Sequence, residues 1–293
     1  MSLDTSRMTS HARTLFCFGF GYCARVLAAR LRAEGWGVAG TSRSLGADPG
    51  VHAFGPEAPF QERWLEDVTH LLISIPPSAE GDPVLQAAGA VLARRARQFD
   101  WAGYLSTTGV YGDHGGGWVD EDTPVHPSPG RSTWRANAEA GWLTLHRDHG
   151  LPVHLFRLAG IYGPGRNALV NVRAGAARRI DAPGQLFSRI HVEDIATVLQ
   201  ASITQPHPGR IYNMCDNEPA AGADVMAYAC TLMGVPAPPL IALKDADLGP
   251  MARSFYQDNR RVRNDRITHE LGVRLAFPSY REGLAALWRV MRT

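Results

Sequence analysis

The chain has 293 residues, enough to bury a full core as one large domain or two smaller ones. Its 45% hydrophobic and 20% charged residues are those of an ordinary globular protein, and 30 basic against 28 acidic residues leave a net charge of +2. The basic residues are scattered without interleaved aromatics, which argues against a nucleic-acid-binding face. No apolar run approaches the roughly 18 residues of a membrane span. Cys17, Cys23, Cys215 and Cys230 lack paired metal-ligand spacing, so no metal site is expected and they read as reduced core residues of a cytoplasmic protein. Every basic residue is arginine except Lys244, so only one position can hold a catalytic lysine.

Residues 1–12 are polar, carry no signal-like apolar stretch, and are expected to be disordered. A first strand is expected over 14–18 and a helix over about 22–34, then a second strand over 37–42. A short apolar piece at 51–54 is a third strand, and 70–75 a fourth, stopped by Pro76-Pro77. A helix over 82–98 leads to a fifth strand at 103–107 and a Gly-, Pro- and Asp-rich loop over 109–130. A helix over 131–149 ends at Gly150, a sixth strand covers 153–159, and 210–214 reads as a strand returning to the sheet. This alternation predicts an α/β fold, a Rossmann-type doubly wound parallel sheet with a smaller C-terminal α/β substrate-binding region. The sheet domain would comprise 13–165 and about 188–215; about 166–187 and 216–293 would form a cap over the cleft.

Between the first strand and its helix lies Gly19-Phe20-Gly21-Tyr22-Cys23-Ala24, a G-x-G-x-x-A turn. In that position Gly19 permits the turn, Gly21 lets backbone approach a pyrophosphate, and Ala24 lets the helix pack on its strand. About twenty residues on, where an acidic residue would bind the ribose of NAD, stand Thr41, Ser42 and Arg43. Two hydroxyls and a guanidinium suit the 2′-phosphate of NADP, with NAD as the alternative. Arg43 as a solvated loop cation is the competing reading.

Four further motifs follow in order. They are Ser106-Thr107-Thr108-Gly109-Val110-Tyr111-Gly112; Arg157-Leu158-Ala159-Gly160-Ile161-Tyr162-Gly163-Pro164-Gly165; Ile190-His191-Val192-Glu193-Asp194-Ile195-Ala196; and Tyr212-Asn213-Met214. Together with the glycine turn they resemble the extended short-chain dehydrogenase/reductase superfamily, the NAD-dependent epimerase/dehydratase family, over residues 14–215. The resemblance implies that Thr107 bonds the substrate's reacting oxygen and that Ile75 and Pro76 line the cofactor. It also implies a small-molecule substrate, with a nucleotide-sugar as the fold-level analogy, and a homodimer through helices flanking the fifth and sixth strands.

The departures matter equally. The superfamily's Tyr-x-x-x-Lys is absent: none of the 8 tyrosines has lysine four residues later. Aligning on Glu139 puts Arg131 at the tyrosine position and Arg135 at the lysine position, as in an atypical subgroup with G-x-G-Y-x-A/G. Arg135 can retain the lysine's charge beside the nicotinamide ribose; a surface pair with Glu139 is the alternative. Arg131 cannot cycle a proton near neutrality, but it can hold a substrate carboxylate or phosphate. Thr107 as a strand-end cap is the competing reading there. The proton donor is open among Tyr111, Tyr162, His191, Asp113 and His114, with His191 more often structural in the family. Asp120-Glu121-Asp122 is expected to be a solvated loop. The missing Thr-Asp-Glu after the fifth strand argues against 4,6-dehydratase chemistry. The expectation is an NADP(H)-dependent oxidoreductase or epimerase-like enzyme with Thr107, Arg131, Arg135 and Tyr111 in the active site. A non-catalytic NAD(P)-binding redox sensor or interaction protein is the alternative.

Overall fold

In the computed structural model, residues 13–43, 48 and 50–292 are described, so the expectation for residues 1–12 lies outside them. The chain begins with β1 (Thr14–Phe18), α1 (Tyr22–Ala33), β2 (Gly37–Ser42) and β3 (Val51–Ala53). Then come β4 (His70–Ile73), α2 (Pro83–Arg94), β5 (Trp101–Thr107), β6 (Trp118–Val119), α3 (Arg131–His149) and β7 (Val153–Leu158). Seven strands form one sheet in the order β3-β2-β1-β4-β5-β7-β11, all parallel, with β11 (Ile211–Met214) at the edge. The reversal between β1 and β4 makes this the doubly wound arrangement, and ligands bind such sheets outside the carboxyl ends of the strands.

Burial explains the layers. β1 is apolar almost throughout, with Leu15 and Cys17 facing one way and Phe16 and Phe18 the other. α1 buries Cys23, Ala24, Leu27, Ala28 and Leu31, a stripe at helical spacing, on the first face. α5 (Val192–Thr204) packs beside it, while α2 and α3 cover the second face. Both faces covered is what makes these strands nearly continuous in hydrophobicity. The fifth strand begins two residues earlier than 103, since its ladder with β4 starts at the His70–Trp101 pair; the Trp101 indole lies across Gly103, where a Cβ would come within 2.1 Å of the ring.

The remaining elements are β8 (Gly160–Tyr162), α4 (Ala168–Arg173), β9 (Arg179–Asp181), β10 (Arg189–His191), α6 (Gly222–Met233), β12 (Leu240–Ala242), α7 (Pro250–Ser254), β13 (Arg261–Val262), α8 (Asp265–Leu271) and α9 (Tyr280–Arg292). α4, α6 and α9 share a second core of Leu169, Val225, Ala229, Tyr280, Leu284 and Leu287. α8 differs from the cap expectation: Ile267 and Leu271 pack into the main core beside β11. The helix expected to 98 stops at Arg94 and continues as a 3-10 turn over 96–98. The loop over 109–130 contains a 3-10 turn, Thr108–Tyr111, and the short β6, which pairs with β13. Lys244 is exposed in the connection between β12 and α7.

Three histidines are buried within this framework. His154 is 0% exposed against Trp101, with ring centroids 5.8 Å apart, and burial lowers its pKa to about 4. Burial lowers His70 and His191 to about 4 as well. An unfolded chain protonates histidine near pH 6.5. Each ring therefore contributes stability above that pH which is lost as pH falls towards 4. Substituting His154→Phe should remove one such dependence. The variant's melting temperature relative to wild type is expected to rise between pH 6.5 and 4, by an amount equivalent to about 3 kcal/mol or less. A pH-independent difference would contradict this.

Candidate active site

The glycine turn is clamped between β2 and β4. Gly19 has φ +95°, and a Cβ there would meet Ser74 Oγ at 2.6 Å. Its N–H donates to Thr41 Oγ1 (3.0 Å), Phe20 N–H donates to the Thr41 carbonyl (2.6 Å), and Ser74 Oγ donates to the Gly19 carbonyl (2.6 Å). Thr41 is thus 0% exposed and committed to the turn, a correction to its grouping with the 2′-phosphate ligands. Ser42 is half-buried and Arg43 exposed beyond it.

Gly21 is the N-cap of α1, at φ −93°, with no side-chain cap and no acidic residue in the first turn. A Cβ added there would meet nothing within 4 Å. By contrast, α2 is capped by Asp82, whose carboxylate accepts from Val84 and Leu85 N–H at 2.8 and 3.1 Å. The first amides of α1 thus face open space with the positive end of the helix behind them, which fits a pyrophosphate. Of the other turn residues, Phe20, Cys23 and Ala24 are buried, and burial pushes the Cys23 thiol up to about 11. Those side chains pack the helix onto the sheet, leaving ligand contact to the backbone. Ile75 is half-buried beside the turn, 3.0 Å from a Gly19 Cβ, and Pro76 is exposed next to it.

At the carboxyl end of β5, Thr107 Oγ1 accepts from Gly109 N–H (3.1 Å), the strand-end cap. What it can still offer a ligand is its own proton. Arg135 does not pair with Glu139. Its Nη1 donates to the Leu105 carbonyl (2.7 Å) and Tyr104 Oη (3.1 Å), tying the charge to the strand that ends in Thr107. Arg131 is exposed, and its Nη2 lies 3.5 Å from Ser254 Oγ on α7.

Glu139 is engaged elsewhere. It accepts from Ser106 Oγ (2.5 Å) and, through both oxygens, from Arg157 (2.7–3.2 Å), the ion pair being 5% exposed on each side. Burial opposes the Arg157 charge, and Glu139 more than restores it. The guanidinium lies over the Tyr111 ring (4.8 Å), and Tyr111 Oη donates to Asn213 Oδ1 (2.8 Å). Asn213 N–H in turn donates to Glu121 (2.7 Å). Two expectations change. Tyr111 is 0% exposed and its hydroxyl, pushed up to about 12 by burial, belongs to this network and not to the cleft. Glu121 is 8% exposed and ties the loop to β11, so the acidic cluster is only partly solvated.

The other proton-donor candidates are also structural. Tyr162 Oη donates to the Ser279 carbonyl (3.3 Å) and is held protonated by burial. His191 Nδ1 caps α5 by accepting from Glu193 N–H (3.2 Å). Asp113 accepts from the amides of Asn259 (2.8 Å) and Gly115 (3.2 Å), which lower its pKa, and His114 Nε2 contacts the Tyr111 carbonyl (3.1 Å). A group that the sequence did not single out is Asp216. It is 2% exposed, one carboxylate oxygen has no hydrogen-bond partner among the described residues, and burial raises it to about 7. No sequence signal marks it beyond following β11. Among the described residues, no group of three His, Cys, Asp or Glu side chains could hold a metal, and no helix is long and apolar enough to cross a membrane.

The sheet order, the glycine turn at the first crossover and the motif residues at the strand ends define the fold of an extended short-chain dehydrogenase/reductase of the NAD-dependent epimerase/dehydratase kind, without its Tyr-x-x-x-Lys pair. The structure of a functionally unknown conserved protein from Silicibacter pomeroyi is 52% identical, covers 96% of this chain and 100% of that one, and superposes with a TM-score of 0.87; the two belong to one family. Protein YeeZ of Escherichia coli is 28% identical over 281 residues, 89% of this chain and 94% of YeeZ. A 3-diazoavenalumate denitrifying reductase from a Streptomyces species is 29% identical over 178 residues, 57% of this chain and 58% of its own. At 18% identity the fold alone is shared with human epimerase family protein SDR39U1 with NADPH (TM-score 0.73; 94% and 99% of the chains) and with Bacillus anthracis dTDP-glucose 4,6-dehydratase with NAD (TM-score 0.75; 96% of each). No family model matches the chain.

Proposed function

We propose that the chain binds a nicotinamide dinucleotide with its pyrophosphate on the first turn of α1, and that it is a reductase acting on a small anionic substrate. The observation that carries this reading is the bare N-terminus of α1: a helix start with neither cap nor carboxylate, opening onto space at Gly21. Ser42 and Arg43 favour NADPH over NADH. When bound, the reduced cofactor supplies hydride. Arg135 supplies a fixed positive charge beside β5 and the Thr107 hydroxyl a hydrogen bond, while Arg131 holds a carboxylate or phosphate against the start of α3. Tyr111 and Tyr162 spend their hydroxyl protons within the core, and His191, whose Nε2 has no hydrogen-bond partner among the described residues, is 2% exposed and held neutral by burial. The site therefore suits reductions that need no proton from the protein, for instance where a leaving group departs with the electron pair as hydride arrives. The name of the Streptomyces relative supports a reductase. The engagement of these tyrosines and this histidine in the core also favours a second reading, a redox sensor that binds the dinucleotide without turning it over.

Fluorescence titration with NADPH, NADP⁺ and NADH tests the binding, and a panel of anionic acceptors followed by nicotinamide absorbance separates enzyme from sensor. Tight binding of one redox form without turnover would favour the sensor; no binding of any dinucleotide would end both readings. Arg43→Ala is expected to weaken NADPH roughly tenfold and leave NADH unchanged. Equal affinities for the variant and wild type would remove the NADP preference.

A further inference from the structure

The start of α1 is approached from a second direction. Tyr22 Oη donates to the Pro164 carbonyl at 2.9 Å, fastening the Gly163-Pro164-Gly165-Arg166 turn to the first turn of α1 from 142 residues away. The approach requires glycine at 163, where a Cβ would come within 2.7 Å of the Tyr22 hydroxyl and 2.8 Å of Val192. The turn closes through paired backbone bonds between Gly163 and Arg166 (2.9 and 3.1 Å), and Asn167 Nδ2 holds the Gly163 carbonyl (2.7 Å). The point from which the Arg166 side chain departs is therefore fixed.

Arg166 is exposed, and among the described residues it forms no ion pair within 4.0 Å. Its charge reaches the start of α1, where it works against burial at both the Tyr22 hydroxyl and the Cys23 thiol. A guanidinium facing the positive end of an uncapped helix is repelled unless an anion lies between them. No carboxylate of the first turn fills that place, and Glu193, the acidic group also felt at Tyr22, is bonded to Arg30. Resting on the dinucleotide reading above, the geometry points to Arg166 as a second clamp on the pyrophosphate, closing from the loop after β8 onto an anion that α1 holds with its amides. The chain then grips the dinucleotide through two segments, and Tyr22 sets the distance between them.

Wild type, Arg166→Ala, Arg166→Lys and Arg43→Ala are titrated with NADPH and NADH by nicotinamide fluorescence. Both dinucleotides carry the pyrophosphate, so Arg166→Ala should weaken both about tenfold or more, while Arg43→Ala weakens NADPH alone. Arg166→Lys should recover part of the loss, since the charge is kept and the fork is not. Tyr22→Phe should weaken binding in wild type and add nothing in the Arg166→Ala background, a coupling that a merely structural tyrosine would not show. Because Arg166 is exposed, its variants should melt with wild type. If wild type binds and Arg166→Ala binds equally well, the clamp is wrong and the glycine site stands. Loss confined to NADPH would place Arg166 at the 2′-phosphate and overturn the clamp. If wild type binds neither dinucleotide, both assignments fall together.

Discussion

Glu139→Ala is expected to lower the melting temperature by on the order of 10 °C, corresponding to roughly 3–5 kcal/mol. Among the described residues the carboxylate is the only acidic partner of Arg157, both side chains are 5% exposed, and Ser106 donates to the same oxygen. Removing it leaves a guanidinium buried over the Tyr111 ring with no counter-charge, and water cannot reach it without opening the contact between α3 and the ends of β5 and β7. The cost lies in the stranded charge rather than in the worth of the pair. A double replacement, Glu139→Leu with Arg157→Met, should therefore recover much of the loss. Thermal unfolding followed by circular dichroism decides it. A single variant melting within about 2 °C of wild type would show that the pair does not hold this corner together.

Gly21→Asp is expected to separate stability from binding in the opposite sense. Residue 21 has extended N-cap geometry with open space at its Cβ, so aspartate fits without strain and can accept from the amides of the first turn. Its charge also complements the helix dipole, and together these should stabilise the free protein by about 0.3–1 kcal/mol. The same carboxylate occupies the place of the pyrophosphate and repels it, so NADPH affinity should fall by about two orders of magnitude or more. Calorimetric melting and NADPH titration of one sample read both effects. A variant that is less stable, or that still binds NADPH as wild type does, would contradict the view that the bare helix start is kept for an anion. Gly19→Ala, by contrast, should destabilise the protein, since φ +95° and the approach of Ser74 leave no room for a Cβ.

Much of the frame was legible because it is written locally. β1, the glycine turn and α1 follow from a run of apolar residues, a G-x-G-x-x-A and a stripe at helical spacing, and α3 lies between Gly130 and Gly150 as the sequence indicates. What spacing could not reveal is which of several polar partners a side chain selects. Arg135 and Glu139 stand one helical turn apart, yet Glu139 turns inward to Arg157 and Arg135 to the β5 backbone. Thr41 sits among polar residues at a strand end, yet its hydroxyl holds Gly19. Tyr111 and Asn213 lie in two of the motifs that carry the family resemblance, and here they bond to each other in the core. Asp216 gains its unusual proton affinity chiefly from burial, with Glu218 and Asp194 adding to it, which no local pattern encodes.

The lone lysine gives the molecule a practical handle. Lys244 is exposed in the connection that leads into α7, the helix towards which Arg131 reaches. An amine-reactive dye will therefore mark the chain at this one side chain, apart from the terminal amine. The four cysteines are all buried and will not compete for a label. If the dinucleotide binds, the energy-transfer distance between such a dye and the nicotinamide reports how far the segment before α7 lies from it, with no substitution needed to install the probe.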